Sequence, residues 1–139
     1  MSVTLQKNYY LTLDLGSKKI DFTSDTLKLA FTDTAPTVNT HLYSDIVSPL
    51  PLTNMATSPA LTSVTYTQSV GIATLAAATW TGTSQIGDFG PFRYIVIYDD
   101  SASSKNIIGW YDYGTELTLH GANGDQLSIT FGSGILTNA

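Results

Sequence analysis

The fold is decided by residues 90–114, which read GPFRYIVIYDDSASSKNIIGWYDYG. In an extended chain, Tyr94, Val96 and Tyr98 lie on one face, and the two isoleucines between them lie on the other. Apolar side chains on both faces are typical of a central strand that is covered on both sides. The polar run DDSASS and the aromatic run after it predict a second strand that pairs with the first as a hairpin.

The hydrophobic pattern outside this stretch also favours strands. Leucine, isoleucine or phenylalanine occupies every second position at 11–15, 27–31 and 127–131, which is the period of a half-buried strand. The predicted strands are 11–15, 27–31, 63–66, 75–81, 94–98, 107–113, 115–119 and 127–131, with none in the ILTNA tail. Short strands with turn signals about every 8 to 12 residues predict an all-β protein. We expect a single antiparallel β-sandwich over residues 1–139, either Ig-like or jelly-roll-like.

The segment 34–62 interrupts this pattern. It contains four of the five prolines of the chain, and proline removes a backbone donor and restricts the residue before it. Loops of this length are uncommon in compact domains unless they bind a partner. We therefore expect a long irregular loop here, with residues 1–10 as a candidate N-terminal arm. Within the loop, HLYSDIV fits one helical turn or a short strand equally well.

Composition narrows the class of protein. The length of 139 residues fits one domain, and the absence of cysteine excludes a disulfide framework and thiolate zinc sites. The chain has six basic residues and a net charge of −5. It therefore has too few basic side chains for the basic stripe of a nucleic-acid-binding protein. The N-terminus lacks the features of a signal peptide, and no apolar run has the length of a membrane span. We expect synthesis in the cytoplasm, no nucleic-acid partner and no membrane partner.

Few residues are candidates for chemistry. The two histidines, His41 and His120, are far apart in the sequence, and no serine lies in a nucleophile elbow. Asp99, Asp100 and Ser101 could offer oxygens to a hard cation such as calcium, but a simple turn explains them equally well. The sequence therefore predicts a protein that is not an enzyme and has no metal and no cofactor.

Five aromatic residues fall on the two strands of the predicted hairpin. They are Tyr94, Tyr98, Trp110, Tyr111 and Tyr113. A sandwich needs large side chains between its sheets, so we expect most of them to be buried. The alternative is an exposed platform of Trp110 with the two tyrosines that follow it closely, as in a carbohydrate-binding module.

Four segments taken together indicate a protein family more specifically than any one of them does alone. They are SDTLKLAFTDTAP (24–36), GPFRYIVIYDD (90–100), IIGWYDYG (107–114) and GDQLSITF (124–131). This set resembles a family of small all-β structural proteins of tailed bacteriophage virions, similar to capsid decoration (cement) proteins. The resemblance covers one early block and most of the last two-fifths of the chain.

The resemblance implies a structural virion protein. Combined with a small β-domain and a long loop, it favours capsid decoration, with binding to the major capsid protein on the outer surface of the head. Self-association as a homo-oligomer is expected, and a trimer is one option. The alternatives are a tail, baseplate or tail-fibre component, and the carbohydrate-binding module.

The candidate binding residues are the aromatic and aliphatic side chains of the arm and of the loop. Capsid contact or a subunit interface is assigned to Tyr9, Tyr10, Leu42, Tyr43, Ile46, Leu50 and Leu52. These side chains qualify because no regular element of the predicted fold accounts for them.

Overall fold

A computed structural model of the protein describes residues 5–37, 39–85, 87–131 and 134–138. Its strands are β1 (Gln6–Lys7), β2 (Leu27–Thr32), β3 (Thr65–Ser69), β4 (Ile72–Ala76), β5 (Trp80–Thr83), β6 (Phe89–Asp99), β7 (Ile107–Leu119), β8 (Gln126–Ile129) and β9 (Leu136–Asn138). An α-helix, α1 (Leu11–Gly16), lies between β1 and β2. In these ranges no helix is long and apolar enough to cross a membrane.

The strands form three antiparallel sheets. The largest has the order β1-β7-β6-β2, and two smaller sheets have the orders β3-β4-β9 and β5-β8. Side chains from all three sheets meet in one large apolar core. The predicted all-β sandwich is confirmed.

The β6–β7 hairpin is the centre of the large sheet, and its two faces are apolar as predicted. Ile95 and Ile97 of β6 enter the main core between the sheets. Val96 and Tyr98, on the opposite face, belong to a second cluster together with Trp110 of β7. The alternation of a central strand therefore buries both sets of side chains.

A cluster of four aromatic side chains lies in the main core. Phe31 of β2 is fully buried, and its ring centroid lies 5.1 Å from those of Phe89 and Phe92 and 5.8 Å from that of Trp80. These edge-on and tilted contacts join the large sheet to β5, which carries Trp80. The indole N–H of Trp80 donates to the carbonyl of Ser58 at 2.8 Å, so the loop is attached to the same group.

The strand predicted at residues 11–15 is wrong, because these residues form helix α1. In the helix, Leu11 and Asp14 share one face and are buried, whereas Leu13 is 63% exposed. The leucines at every second position have the period of a half-buried strand, which led to the wrong prediction. The side chains that the protein buries here have the helical spacing instead, and one of them is an aspartate.

Several other strand boundaries differ from the prediction. The run at 75–81 is divided between β4 and β5, and residues 107–119 form one continuous strand where two were expected. The ILTNA tail contributes β9, which pairs with β4, although Ala139 lies outside the described residues. Pairing with a distant strand created β9, and the local sequence carries no signal for it.

The loop at 34–62 follows the surface of the sandwich. Apart from Val38, which lies outside the described residues, it contains 3₁₀ turns at Tyr43–Asp45 and Leu52–Asn54. HLYSDIV therefore contains a helical turn and not a strand. Single bridges connect the loop to neighbouring elements, as between Leu42 and Asn106.

Replacing Phe31 by alanine tests the importance of the aromatic group. The variant Phe31→Ala loses three ring contacts and leaves a cavity, so the free energy of unfolding should fall by about 3–5 kcal/mol. Urea denaturation measures this change. Leu13→Ala is the control, because its exposed side chain should contribute less than about 0.5 kcal/mol. Equal effects of the two substitutions would contradict the placement of Phe31.

Candidate functional site

The N-terminal segment and the long loop, predicted to form one binding surface, are in direct contact. The side-chain amide of Asn8 donates to the carbonyl of Thr40. The ring of Tyr10 stacks on that of His41, with a centroid distance of 4.1 Å and an interplanar angle of 19°. The backbone N–H of Asn8 also donates to the carbonyl of Ile108 at 3.0 Å. The segment is therefore held between the loop and β7.

A partly buried polar pair reinforces this junction. His41 Nε2 lies 2.8 Å from Oδ2 of Asp14, whose side chain is fully buried in α1. The side-chain amide of Asn106 approaches the same His41 nitrogen at 3.4 Å. Within the part of the chain that the structure describes, Oδ1 of Asp14 has no hydrogen-bond partner. His41 is therefore the group that compensates the burial of Asp14.

The loop is also joined to the start of β7 by backbone bonds. The N–H of Tyr43 donates to the carbonyl of Lys105 at 2.9 Å, and the N–H of Ile107 donates to the carbonyl of His41 at 2.8 Å. Asp45 accepts the backbone N–H of His41 at 3.2 Å and that of Leu42 at 3.0 Å. These bonds give an irregular segment a defined conformation against the sheet.

The predicted binding residues of the loop are largely used by the fold itself. Ile46 is buried in the second apolar cluster, and Tyr43 packs on Tyr98 with ring centroids 4.8 Å apart. Leu50 and Leu52 are partly buried against the main core. These side chains therefore hold the loop on the sandwich.

The remaining predicted residues lie at the junction. Leu42 is half-buried at its bridge to Asn106, and Tyr10 is half-buried on His41. Tyr9 is 73% exposed. Of the predicted set, Tyr9 is thus the side chain with most of its surface available to a partner.

Two further exposed side chains near the junction were missed by the sequence analysis. Leu13 is 63% exposed on the helix that carries Asp14, and Val47 is 55% exposed next to Ile46. We name these three exposed side chains of the N-terminal segment and the loop, Tyr9, Leu13 and Val47, the N-terminal/loop face. Helical spacing from Leu11 was the signal that could have identified Leu13 as an outward residue.

A cavity of about 300 Å³ adjoins this face on the loop side. Its lining includes Pro36, Thr37, Thr40, Asp45 and Val47, which are mainly small or hydroxyl-bearing side chains. Thr40 is the residue whose carbonyl receives the Asn8 bond, so the cavity borders the junction. A partner on the N-terminal/loop face would meet both apolar side chains and hydroxyl groups.

The aromatic platform of the carbohydrate-binding alternative is not available at the surface. Trp110 and Tyr111 are each only 7% exposed and lie on opposite faces of β7. Burial raises the pKa of Tyr111 to about 12. The expectation that most hairpin aromatics are core residues agrees with these positions.

The two aspartates of the turn after β6 have different surroundings. Asp100 is held by Lys105 at 2.6 Å and Lys28 at 3.0 Å, and these bonds lower its pKa. Oδ1 of Asp99 accepts the backbone N–H groups of Ser101 and Ala102, which is the turn geometry expected from the sequence. Burial, together with the neighbouring carboxyl of Asp25, raises the pKa of Asp99 to about 7.

The His41–Asp14 pair gives a first test of the junction. The variant His41→Ala leaves a buried carboxylate without its partner, so the free energy of unfolding should fall by about 3 kcal/mol. His120→Ala is the matched control, because His120 and Asp88 form an exposed pair at 3.4 Å that should contribute less than about 1 kcal/mol. Chemical denaturation measures both. A loss for His41→Ala no larger than the one expected for His120→Ala would show that the junction is not stabilising.

The raised pKa of Asp99 predicts a pH dependence of stability. Because an unfolded aspartate titrates near pH 3.9, the folded state retains a proton between about pH 4 and pH 7 that the unfolded state has released. The free energy of unfolding therefore falls across this window as the pH rises. Asp99→Asn should flatten this dependence, and Asp33→Asn, an exposed control, should not. Denaturation curves between about pH 4 and pH 8 measure it, and parallel profiles for wild type and Asp99→Asn would contradict the assignment.

In the ranges that the structure describes, no three histidine, cysteine or carboxylate side chains converge as metal ligands. Comparisons of the chain with protein-family models, with curated proteins and with solved structures gave no match.

Proposed function

We propose that this protein is a structural, non-enzymatic component of a tailed-phage virion that decorates the outer surface of the head. The partner in this proposal is the major capsid protein. The sequence resemblance supports the virion assignment. The observation that carries the binding role is the N-terminal/loop face, where Tyr9, Leu13 and Val47 remain exposed on segments that the His41–Asp14 pair joins.

The face suits the binding of a large, pre-formed protein surface. Its segments are held by the stacking of Tyr10 on His41, by the His41–Asp14 pair and by backbone bonds to β7. A segment that is already ordered loses little conformational entropy on binding, which favours affinity. Tyr9, Leu13 and Val47 present apolar surface and one hydroxyl group, as suits a protein partner better than a nucleic acid.

Self-association belongs to the same proposal. The strand β3 carries the sequence TYTQS, which has no charged residue and no proline. Natural edge strands are commonly protected by charges or prolines, so a strand of this composition is suited to pairing with a neighbouring copy. Sedimentation equilibrium of the purified chain would measure the resulting trimer or other oligomer, and a monomer at all concentrations would contradict it.

The location and copy number in the particle test the proposed role directly. Antibody-gold labelling of intact virions, with quantitative mass spectrometry, should show label over the head and hundreds of copies per particle. Label confined to the tail at low copy number would overturn decoration and favour the tail or baseplate alternative.

Substitutions on the N-terminal/loop face test the contact surface. The triple variant Tyr9→Ser, Leu13→Ser and Val47→Ser should weaken binding to heads by about tenfold or more, because it removes exposed apolar contacts. Cosedimentation with heads that lack the protein measures binding, and circular dichroism confirms that the variant is folded.

The control for this experiment lies on the β3–β4 hairpin. Val70 and Ile72 are 96% and 45% exposed, so Val70→Ser with Ile72→Ser removes similar apolar groups elsewhere. The control should bind heads as the wild type does. Unchanged binding of the triple variant, or an equal loss in the control, would contradict a capsid contact at the N-terminal/loop face.

A further inference from the structure

The connection between β7 and β8 contains the Asn-Gly pair of the chain. Of the six asparagines, Asn123 alone is followed by glycine. Asn123 is exposed and ends the 3₁₀ turn Gly121–Asn123. Gly124 follows in the left-handed region with a φ of +63°, and among the described residues a Cβ atom there would meet nothing within 4 Å. The space around the peptide group that joins the two residues is therefore open.

An asparagine before a glycine can react with the main chain. The peptide N–H of the glycine loses its proton to hydroxide, and its nitrogen attacks the side-chain carbonyl carbon of the asparagine. The new C–N bond closes a succinimide ring, and the side-chain nitrogen takes up a proton and leaves as ammonia. Water then opens either carbonyl of the ring, which yields aspartate or isoaspartate. Glycine hinders ring closure least, because it has no Cβ.

The folded turn engages the nitrogen that this reaction needs. The N–H of Gly124 donates to the carbonyl of Gly121 at 3.1 Å, and the N–H of Asn123 donates to the carbonyl of His120 at 3.1 Å. A hydrogen-bonded N–H gives up its proton less readily, and its nitrogen is fixed toward the preceding turn. Ring closure therefore requires the turn to open locally.

We propose that Asn123 is a site of spontaneous deamidation and that opening of the turn at 120–125 sets its rate. Asp125 closes this turn. Its Oδ2 accepts the N–H of His120 at 2.9 Å, and its own N–H donates to the carbonyl of His120 at 3.3 Å. Its carbonyl accepts the N–H of Ser84 at 3.0 Å and the Ser84 hydroxyl at 3.1 Å, which attaches the turn to the end of β5.

The two products differ in their effect on the turn. Both add one negative charge, but isoaspartate also leads the main chain through the former side chain and so adds one methylene carbon to the backbone. The turn has little room for it, because a side chain on Gly121 would collide with the carbonyl oxygens of Gln85 and Gly87. We therefore expect isoaspartate at position 123 to weaken the bonds that Asp125 makes and to lower the melting temperature.

Ageing of the purified full chain tests the site. After incubation in mildly alkaline buffer, peptide mass spectrometry should show that Asn123 loses its amide several times faster than any of the other five asparagines. Enzymatic methylation of isoaspartyl groups should label the same peptide. The chain kept unfolded in urea should react faster still, because no turn then engages the N–H of Gly124. Loss at Asn123 no faster than at the other asparagines of the folded chain would overturn the proposal.

Two substitutions at one position test the control of the rate. Asp125→Ala removes the acceptor of the His120 N–H, and loss of one ordinary hydrogen bond should raise the open fraction of the turn, and with it the rate, by about fivefold. Asp125→Asn retains an acceptor oxygen and should react about as the wild type does. An unchanged rate in Asp125→Ala would contradict control by this turn. If Asp125→Ala does not fold, equal rates in the folded and the urea-unfolded wild type would contradict it.

The variant Asn123→Asp separates the added charge from the added backbone atom. Its melting temperature should be close to that of the wild type, whereas the isoaspartate fraction of the aged protein, isolated by chromatography, should melt at a lower temperature. Equal melting temperatures of Asn123→Asp and the isoaspartate fraction would contradict the expected effect on the turn. None of these outcomes depends on the proposed capsid contact.

Discussion

Both faces of the β6–β7 hairpin must be kept from water, and the rest of the structure depends on this requirement. Ile95 and Ile97 are covered by the smaller sheets and by helix α1, which together enclose the main core. The opposite face, with Val96 and Tyr98, has no second sheet in the described structure and is covered by Tyr43 and Ile46 of the long loop. The loop is therefore part of the hydrophobic structure, and burying its apolar side chains offsets the entropy lost in ordering it.

Covering that second face also explains the buried polar groups at the edge of the sheet. To reach Tyr98, the loop passes the start of β7, where His41 lies against Asp14 and Tyr10. The N-terminal segment is held at the same place, since Asn8 bonds to Thr40 of the loop. Packing of an irregular segment thus creates a fixed junction, and the exposed side chains around the junction form the surface to which we assign partner binding.

The sequence indicated which segments form the candidate surface, but it did not indicate which of their side chains are exposed. A proline-rich segment of this length indicated a binding loop, and its contact with the N-terminal arm agrees with one combined surface. The side chains named in advance were chosen for being apolar, yet Ile46 is buried by the fold and Leu50 is half-buried. Leu13 and Val47 are exposed instead. Hydrophobicity alone does not indicate whether a side chain packs within the chain or faces a partner.

The sequence by itself determined the all-β class, the central hairpin and the division of Ile95 and Val96 between opposite faces, because the period of two is a local property of the chain. Only the tertiary structure decided that residues 11–16 form a helix and that the tail becomes β9. These features depend on contacts between distant segments, and burial against such partners overrides local propensity. The hydrophobic pattern of a segment does not encode the identity of its distant partner.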